Sequence, residues 1–335
     1  MVLSIQYLRA IAALLVVFSH SVWKSIQAGD NSLYWWHEAG ALGVDIFFII
    51  SGYIMVYITQ NMHQQPQGIR IFLKKRFIRI VPLYWFYTLI ALAIFLIMPD
   101  RVNSSGGSTE VLKSFFLLPL DSNEGYLVNV GWTLHYEFIF YILFSFGLLF
   151  SRLKGNIFVA SFILFSLFFS IFIEPSKLHY VFKSFIHDIF IEFLLGMLLY
   201  FILTQIKTTP WYLALLAIFA GISHFYYLHS GGSFTGVIHI DKGISAFLIC
   251  FGIIGLESVW KKRECKLLTA LGNASYSIYL LHPFILVTVV MVNKKLNGYF
   301  STTEVLILSI ISSLVAGYLS YLYIENNLMK MWKKV

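Results

Sequence analysis

The sequence predicts an all-α fold, a polytopic transmembrane helix bundle of about ten helices with both the N-terminus and the C-terminus in the cytoplasm. Three observations carry that expectation. Apolar windows recur from end to end, charge is scarce between them, and the cations gather on one side. Of 335 residues, 59% are hydrophobic and 12% charged, whereas soluble domains carry about 25% charged residues. Windows near the length of about 20 residues that a helix needs to cross lipid fall at 4–23, 39–60, 80–98, 132–150, 157–173, 185–204, 210–228, 243–260, 271–293 and 305–324. With the N-terminus inside, fifteen Lys and Arg side chains fall in inner segments and eight in outer ones, with Arg9 left inside a span. That excess is the positive-inside pattern. No stretch outside the spans is long enough for another domain, so residues 1–335 are expected to form a single integral-membrane domain. No internal repeat of the kind that marks inverted-repeat transporters is visible.

The first span, SIQYLRAIAALLVVFSHSVW, contains Arg9 and His20. Eleven residues turn a helix through three full turns and about 20°, so the two side chains share one face. Ionisable groups are costly in lipid, and that face is expected to line a cavity or a partner helix. The second span brings Asp45 to about 9 Å below the outer surface, at 1.5 Å per residue. Its Ser51–Gly52 pair suits close helix packing.

Before the third span, FLKKRFIRIVPLYW places Lys74, Lys75, Arg76 and Arg79 at the inner mouth. The lysines read as positive-inside anchors. Arg76 and Arg79, spaced i, i+3, are helix neighbours whose guanidinium forks suit phosphate or pyrophosphate. The loop from Asp100 to Gly131 is then outside, and its apolar SFFLLPL reads as re-entrant or interfacial.

The fourth span opens GWTLHYEF and puts Glu137 about 8 Å below the outer surface; Glu192 of the sixth is about 10 Å down. His20, Asp45, Glu137 and Glu192 thus share one depth, as expected of a polar chamber opening outward. An imidazole there, oriented by Asp45 or Glu137, is suited to take a proton from a hydroxyl. In the ninth span, Tyr276, Tyr279 and His282 spiral along one side, with His282 about 16 Å from the inner end. They either line a tunnel for a donor or form a hydrogen-bond network between helices. Trp35 and Trp36 read as an interfacial belt. Cys250 and Cys265 form no framework, and neither a disulfide nor a metal site is expected.

Together these segments resemble acyltransferase family three, membrane enzymes that O-acylate sugars of the bacterial envelope. The likeness begins with YLRAIAALLVVFSH, where Arg9 and His20 match the family's Arg, ten residues, His signature. It continues through GVDIFFIISGYIM with Asp45, KKRFIRIVPLYW with Arg76 and Arg79, and GWTLHYEFIFY with Trp132 and Glu137. EFLLGMLLY supplies Glu192, and LGNASYSIYLLHP supplies Tyr276, Tyr279 and His282.

The resemblance implies a stand-alone, multi-pass O-acyltransferase of the bacterial inner membrane, similar to the O-antigen and lipopolysaccharide acetyltransferases. Acetyl-CoA is the implied donor, and a polysaccharide or undecaprenyl-linked glycan the implied acceptor; the lipid bilayer is the other partner, with no nucleic acid. On that reading His20 is the base, Arg9, Asp45 and Glu137 assist it, and Arg76, Arg79, Tyr276, Tyr279 and His282 hold the donor. Trp132 and Glu192 contact the acceptor. The competing class is a secondary transporter or flippase, because intramembrane Arg, His and Glu also mark ion pathways.

Overall fold

The computed structural model describes residues 2–27, 29–30, 33–99, 102, 107–172, 178–206, 208–236 and 238–334. It is almost wholly helical. The helices are α1 (Leu3–Gln27), α2 (Tyr34–Ile58), α3 (Gly68–Ile97), α4 (Val111–Phe116), α5 (Gly131–Gly147), α6 (Arg152–Phe172) and α7 (Tyr180–Phe185). They continue as α8 (Phe190–Ile206), α9 (Trp211–His229), α10 (Ile238–Gly255), α11 (Glu257–Lys262), α12 (Lys266–Lys295), α13 (Thr302–Ser320) and α14 (Asn326–Lys334). A π-turn, Tyr321–Glu325, joins the last two. Two short strands, β1 (Ser108–Thr109) and β2 (Glu124–Gly125), pair in parallel.

Among the described residues, eight helices are long and apolar enough to cross a membrane. The segments expected at 132–150 and 243–260 are helical, as α5 and α10, but lie outside that set. The apolar side chains on the outside of α6 include Phe162, Phe165, Phe168 and Phe172. Lipid, not water, is the solvent such a surface fits, since a helix satisfies its backbone internally. The protein is a multi-pass membrane protein.

The chain divides into two compact units, Met1–Ile50 with Leu198–Asn327, and Ser51–Met197 with Leu328–Val335. In the first unit α1 and α12 run side by side in the same direction. Their starts are tied where the Cys265 backbone N–H donates to the Tyr7 hydroxyl at 2.6 Å. Gly272 makes the approach possible, because a Cβ there would overlap the Gln6 carbonyl. The first N–H groups of α1, which no helix residue can satisfy, donate to the Glu257 carboxylate from Leu3 at 3.0 Å and Ser4 at 2.7 Å. Ala13, Val17, Ala274 and Ile278 form a core between the two helices, covered by Ile310, Leu314 and Tyr318 of α13. That helix runs back along α12, with Gly317 against Ile278.

In the second unit α4 is pinned to α3 by main-chain acceptors. Tyr84 donates to the Ser114 carbonyl at 2.7 Å, and the Trp85 indole donates to that of Phe115 at 2.8 Å. The expected re-entrant segment is thus one short helix, ended by Leu117 in the left-handed region at φ 50°. Gly52 on α2 meets the Phe193 backbone of α8, so the small residue serves packing as its type predicts.

Candidate active site

The ring of His20, toward the C-terminal end of α1, meets the ring of His282 on α12. Nδ1 of His20 lies 2.7 Å from Nε2 of His282, with ring planes 9° apart. His20 is half-buried, whereas His282 is fully buried. Helix starts explain the meeting. His20 is 17 residues beyond Leu3 and His282 is 16 beyond Lys266, so both sit about 25 Å along their helices at 1.5 Å per residue. The expectation that His282 lies near the midplane took its helix to begin at 271. The observed start at Lys266 is five residues earlier and lifts His282 to the level of His20.

Around this pair, Tyr279 packs edge-on to Phe47 of α2 at 6.0 Å and lies 6.0 Å from the His282 ring. Asp45 and Tyr279 are buried, and Arg9 and Tyr276 are half-buried. Toward the C-terminal end of α1, Ser19 donates to the His37 carbonyl at 2.8 Å, and Trp23 stacks on the His37 ring at 4.9 Å. Nearer the start of α12, the hydroxyl of Ser277 donates to Glu325 at 2.6 Å, both residues being fully buried. The π-turn carries Glu325 there, and such insertions recur at functional positions in helices.

The second unit holds a polar cluster of its own. Glu137 accepts a hydrogen bond from Ser51 at 2.8 Å and another from Tyr141 on its own helix. The Arg76 guanidinium lies over the Tyr141 ring, 5.9 Å from its centre. Arg79 instead reaches α14, donating to the Met329 sulfur at 3.6 Å, while Trp332 of that helix packs on Phe77 and Trp85. The two arginines share a helix face as predicted, yet each engages a different partner. Glu192 is fully buried, and Trp132 is exposed beside Tyr136. His135 donates from Nδ1 to the Leu117 carbonyl at 2.7 Å, which ties the end of α4 to α5.

Of the residues expected to act together, His20, Arg9, Asp45, Tyr276, Tyr279 and His282 belong to the first unit, and Arg76, Arg79, Trp132, Glu137 and Glu192 to the second. The ring partner that the structure gives His20 is His282, where the sequence pointed to a carboxylate. Glu137 spends its Oε1 on Ser51 and Tyr141. Sequence reasoning missed His37, Tyr141 and Glu325. Glu325 lies one residue past the last apolar window, and only its isolation in YLYIENN marks it. The Trp35 side chain lies outside the described residues. Among the described residues no group of three or more His, Cys, Asp or Glu side chains is placed to hold a metal ion.

Residues 2–322 match the acyltransferase domain family. The chain belongs to this acyltransferase family. A curated relative, exopolysaccharide production protein ExoZ of Rhizobium meliloti, is 30% identical over 305 residues, covering 87% of this chain and 90% of that protein. The peptidoglycan O-acetyltransferase OatA of Listeria monocytogenes is 26% identical over 169 residues, covering 46% of this chain and 25% of that protein. No solved structure matches the chain. Membership in an acyltransferase family favours the enzyme over the transporter reading of the intramembrane charges.

Proposed function

We propose that this acyltransferase works in the bacterial inner membrane, moving an acetyl group from cytoplasmic acetyl-CoA to a hydroxyl of an envelope or lipid-linked polysaccharide on the outer face. The observation that carries the reading is the hydrogen-bonded imidazole on α1, half-buried and about 25 Å from the start of its helix. The functions for which the two relatives are named, exopolysaccharide production and peptidoglycan O-acetylation, support a glycan acceptor.

In this reading His20 removes the proton of the acceptor hydroxyl as its oxygen attacks the thioester carbonyl. The carbon–sulfur bond breaks, and the leaving thiolate takes the proton from His20. Arg9 lies eleven residues, about 16 Å, below His20. At that distance it suits the pantetheine arm better than the reacting carbonyl, with Tyr276 and Tyr279 further along the same path. Arg76 and Arg79 take the donor's phosphates. Trp132 offers a face to a sugar ring, whereas Glu192, fully buried, has little surface for an acceptor and is assigned no contact with it; Asp45 assists His20, and Glu137 holds Ser51 and Tyr141.

The test is mass spectrometry of surface polysaccharide from cells with and without the protein. One acetyl mass per repeat is expected with the native chain and is absent with His20→Ala at equal membrane abundance. Acetylation that persists with His20→Ala would overturn the base assignment.

A further inference from the structure

The two imidazoles differ in more than exposure. Nδ1 of His282 lies 3.3 Å from the carbonyl oxygen of Ile278, one turn earlier on α12. The ring also hydrogen-bonds to the Tyr279 carbonyl. Pro283 leaves that carbonyl available, because proline has no N–H to give to the residue four positions back. A carbonyl oxygen only accepts, so the Nδ1 of His282 must carry hydrogen. A neutral imidazole has a single N–H, and Nε2 of His282 is therefore a bare acceptor. That nitrogen is the one 2.7 Å from Nδ1 of His20. The hydrogen between the rings then belongs to His20. The reverse arrangement would turn a bare Nδ1 of His282 toward the Ile278 carbonyl oxygen.

From this chain of donors we infer that His282 is a positioning residue, which holds His20 in the tautomer with Nδ1 protonated and Nε2 free to receive a proton. The inference rests on the reading of His20 as the base. It replaces the donor-lining role expected for His282, whose complete burial leaves it little surface to offer a substrate. It also gives the His–Pro pair a physical purpose, since Pro283 frees an acceptor that fixes the neighbouring ring. When His20 Nε2 takes the acceptor's proton, its Nδ1–H still points at His282. The imidazolium is thus held in place by a neutral acceptor, with no carboxylate needed at that nitrogen.

Two measurements on the full-length protein test this. In nitrogen-15 spectra of histidine-labelled protein, His20, assigned by loss of its signals in His20→Ala, should show a protonated Nδ1 and a bare Nε2. The opposite tautomer would overturn the inference, and this readout needs no folded variant at position 282. In transfer assays with radiolabelled acetyl-CoA and envelope polysaccharide, His282→Ala should lower kcat by roughly a hundredfold or more, the scale of lost acid–base catalysis, with KM for acetyl-CoA unchanged. His282→Gln, whose side-chain oxygen can accept from His20 at the place of Nε2, should recover most of that loss. A raised KM with unchanged kcat, or a folded His282→Gln as inactive as His282→Ala, would sink the proposal. Persistent transfer by His20→Ala would instead sink the base reading, whatever tautomer the spectra report.

Discussion

At Gly272 a single hydrogen atom decides how near α12 comes to α1. A Cβ would overlap the Gln6 carbonyl, which is backbone and cannot rotate away. The same two helices bring His20 to His282, ten residues further along α12. Gly272→Leu should therefore destabilise the protein by about 1–3 kcal/mol, the usual cost of overpacking, and lower transfer by parting the rings. Thermal unfolding in detergent and the transfer assay check both effects; unchanged stability with native activity would show that the helices separate without consequence. Residue types on a single helix were legible from sequence, because Arg9 and His20 need only helical periodicity to share a face. The partner of His20 was not legible. It depends on the relative register of two helices, and a five-residue shift in the start of α12 moves His282 by about 8 Å.

Elements show the same division between what periodicity reveals and what contact creates. The long apolar helices follow from composition, whereas the loop 107–126 takes its form from tertiary hydrogen bonds. In that loop, Lys113 donates to Glu124 at 2.7 Å, linking α4 to β2, and lies over the Tyr180 ring at 4.8 Å. The hydrogen bond holds the Glu124 carboxyl below its ordinary pKa and raises that of Lys113. A carboxyl lowered by folding adds stability above its unfolded value and loses it as pH falls through the folded one. The lysine's share is present below its own unfolded value and is lost as pH rises through the folded one. Local order in 107–126 should thus weaken on acidification below the ordinary carboxylate range, by about 0.2–1 kcal/mol as for other solvent-screened pairs. Hydrogen exchange of the loop amides follows it, and Glu124→Gln should remove the pH step. A step of equal size in that variant would assign it to another carboxylate.

For the whole molecule, orientation decides whether the proposed chemistry is feasible, because the proposed donor is cytoplasmic and the proposed acceptor is outside. The distribution of Lys and Arg predicts that the start of α12 lies inside, and the two free cysteines provide a native test. Cys265, at the cap of that helix, is exposed, whereas Cys250 on α10 is fully buried. A membrane-impermeant maleimide should leave Cys265 unmodified in intact spheroplasts and label it in inverted vesicles. Cys250 should stay unlabelled in both, and Cys250→Ser should reproduce the pattern. Labelling of Cys265 from outside would place the starts of α1 and α12 on the outer face, since Tyr7 and Cys265 are hydrogen-bonded there. His20 and His282, about 25 Å along the same helices, would then lie toward the cytoplasm. The hydroxyl they activate would have to be sought on that side, and acetylation of an extracytoplasmic glycan by this route would fail on geometry alone.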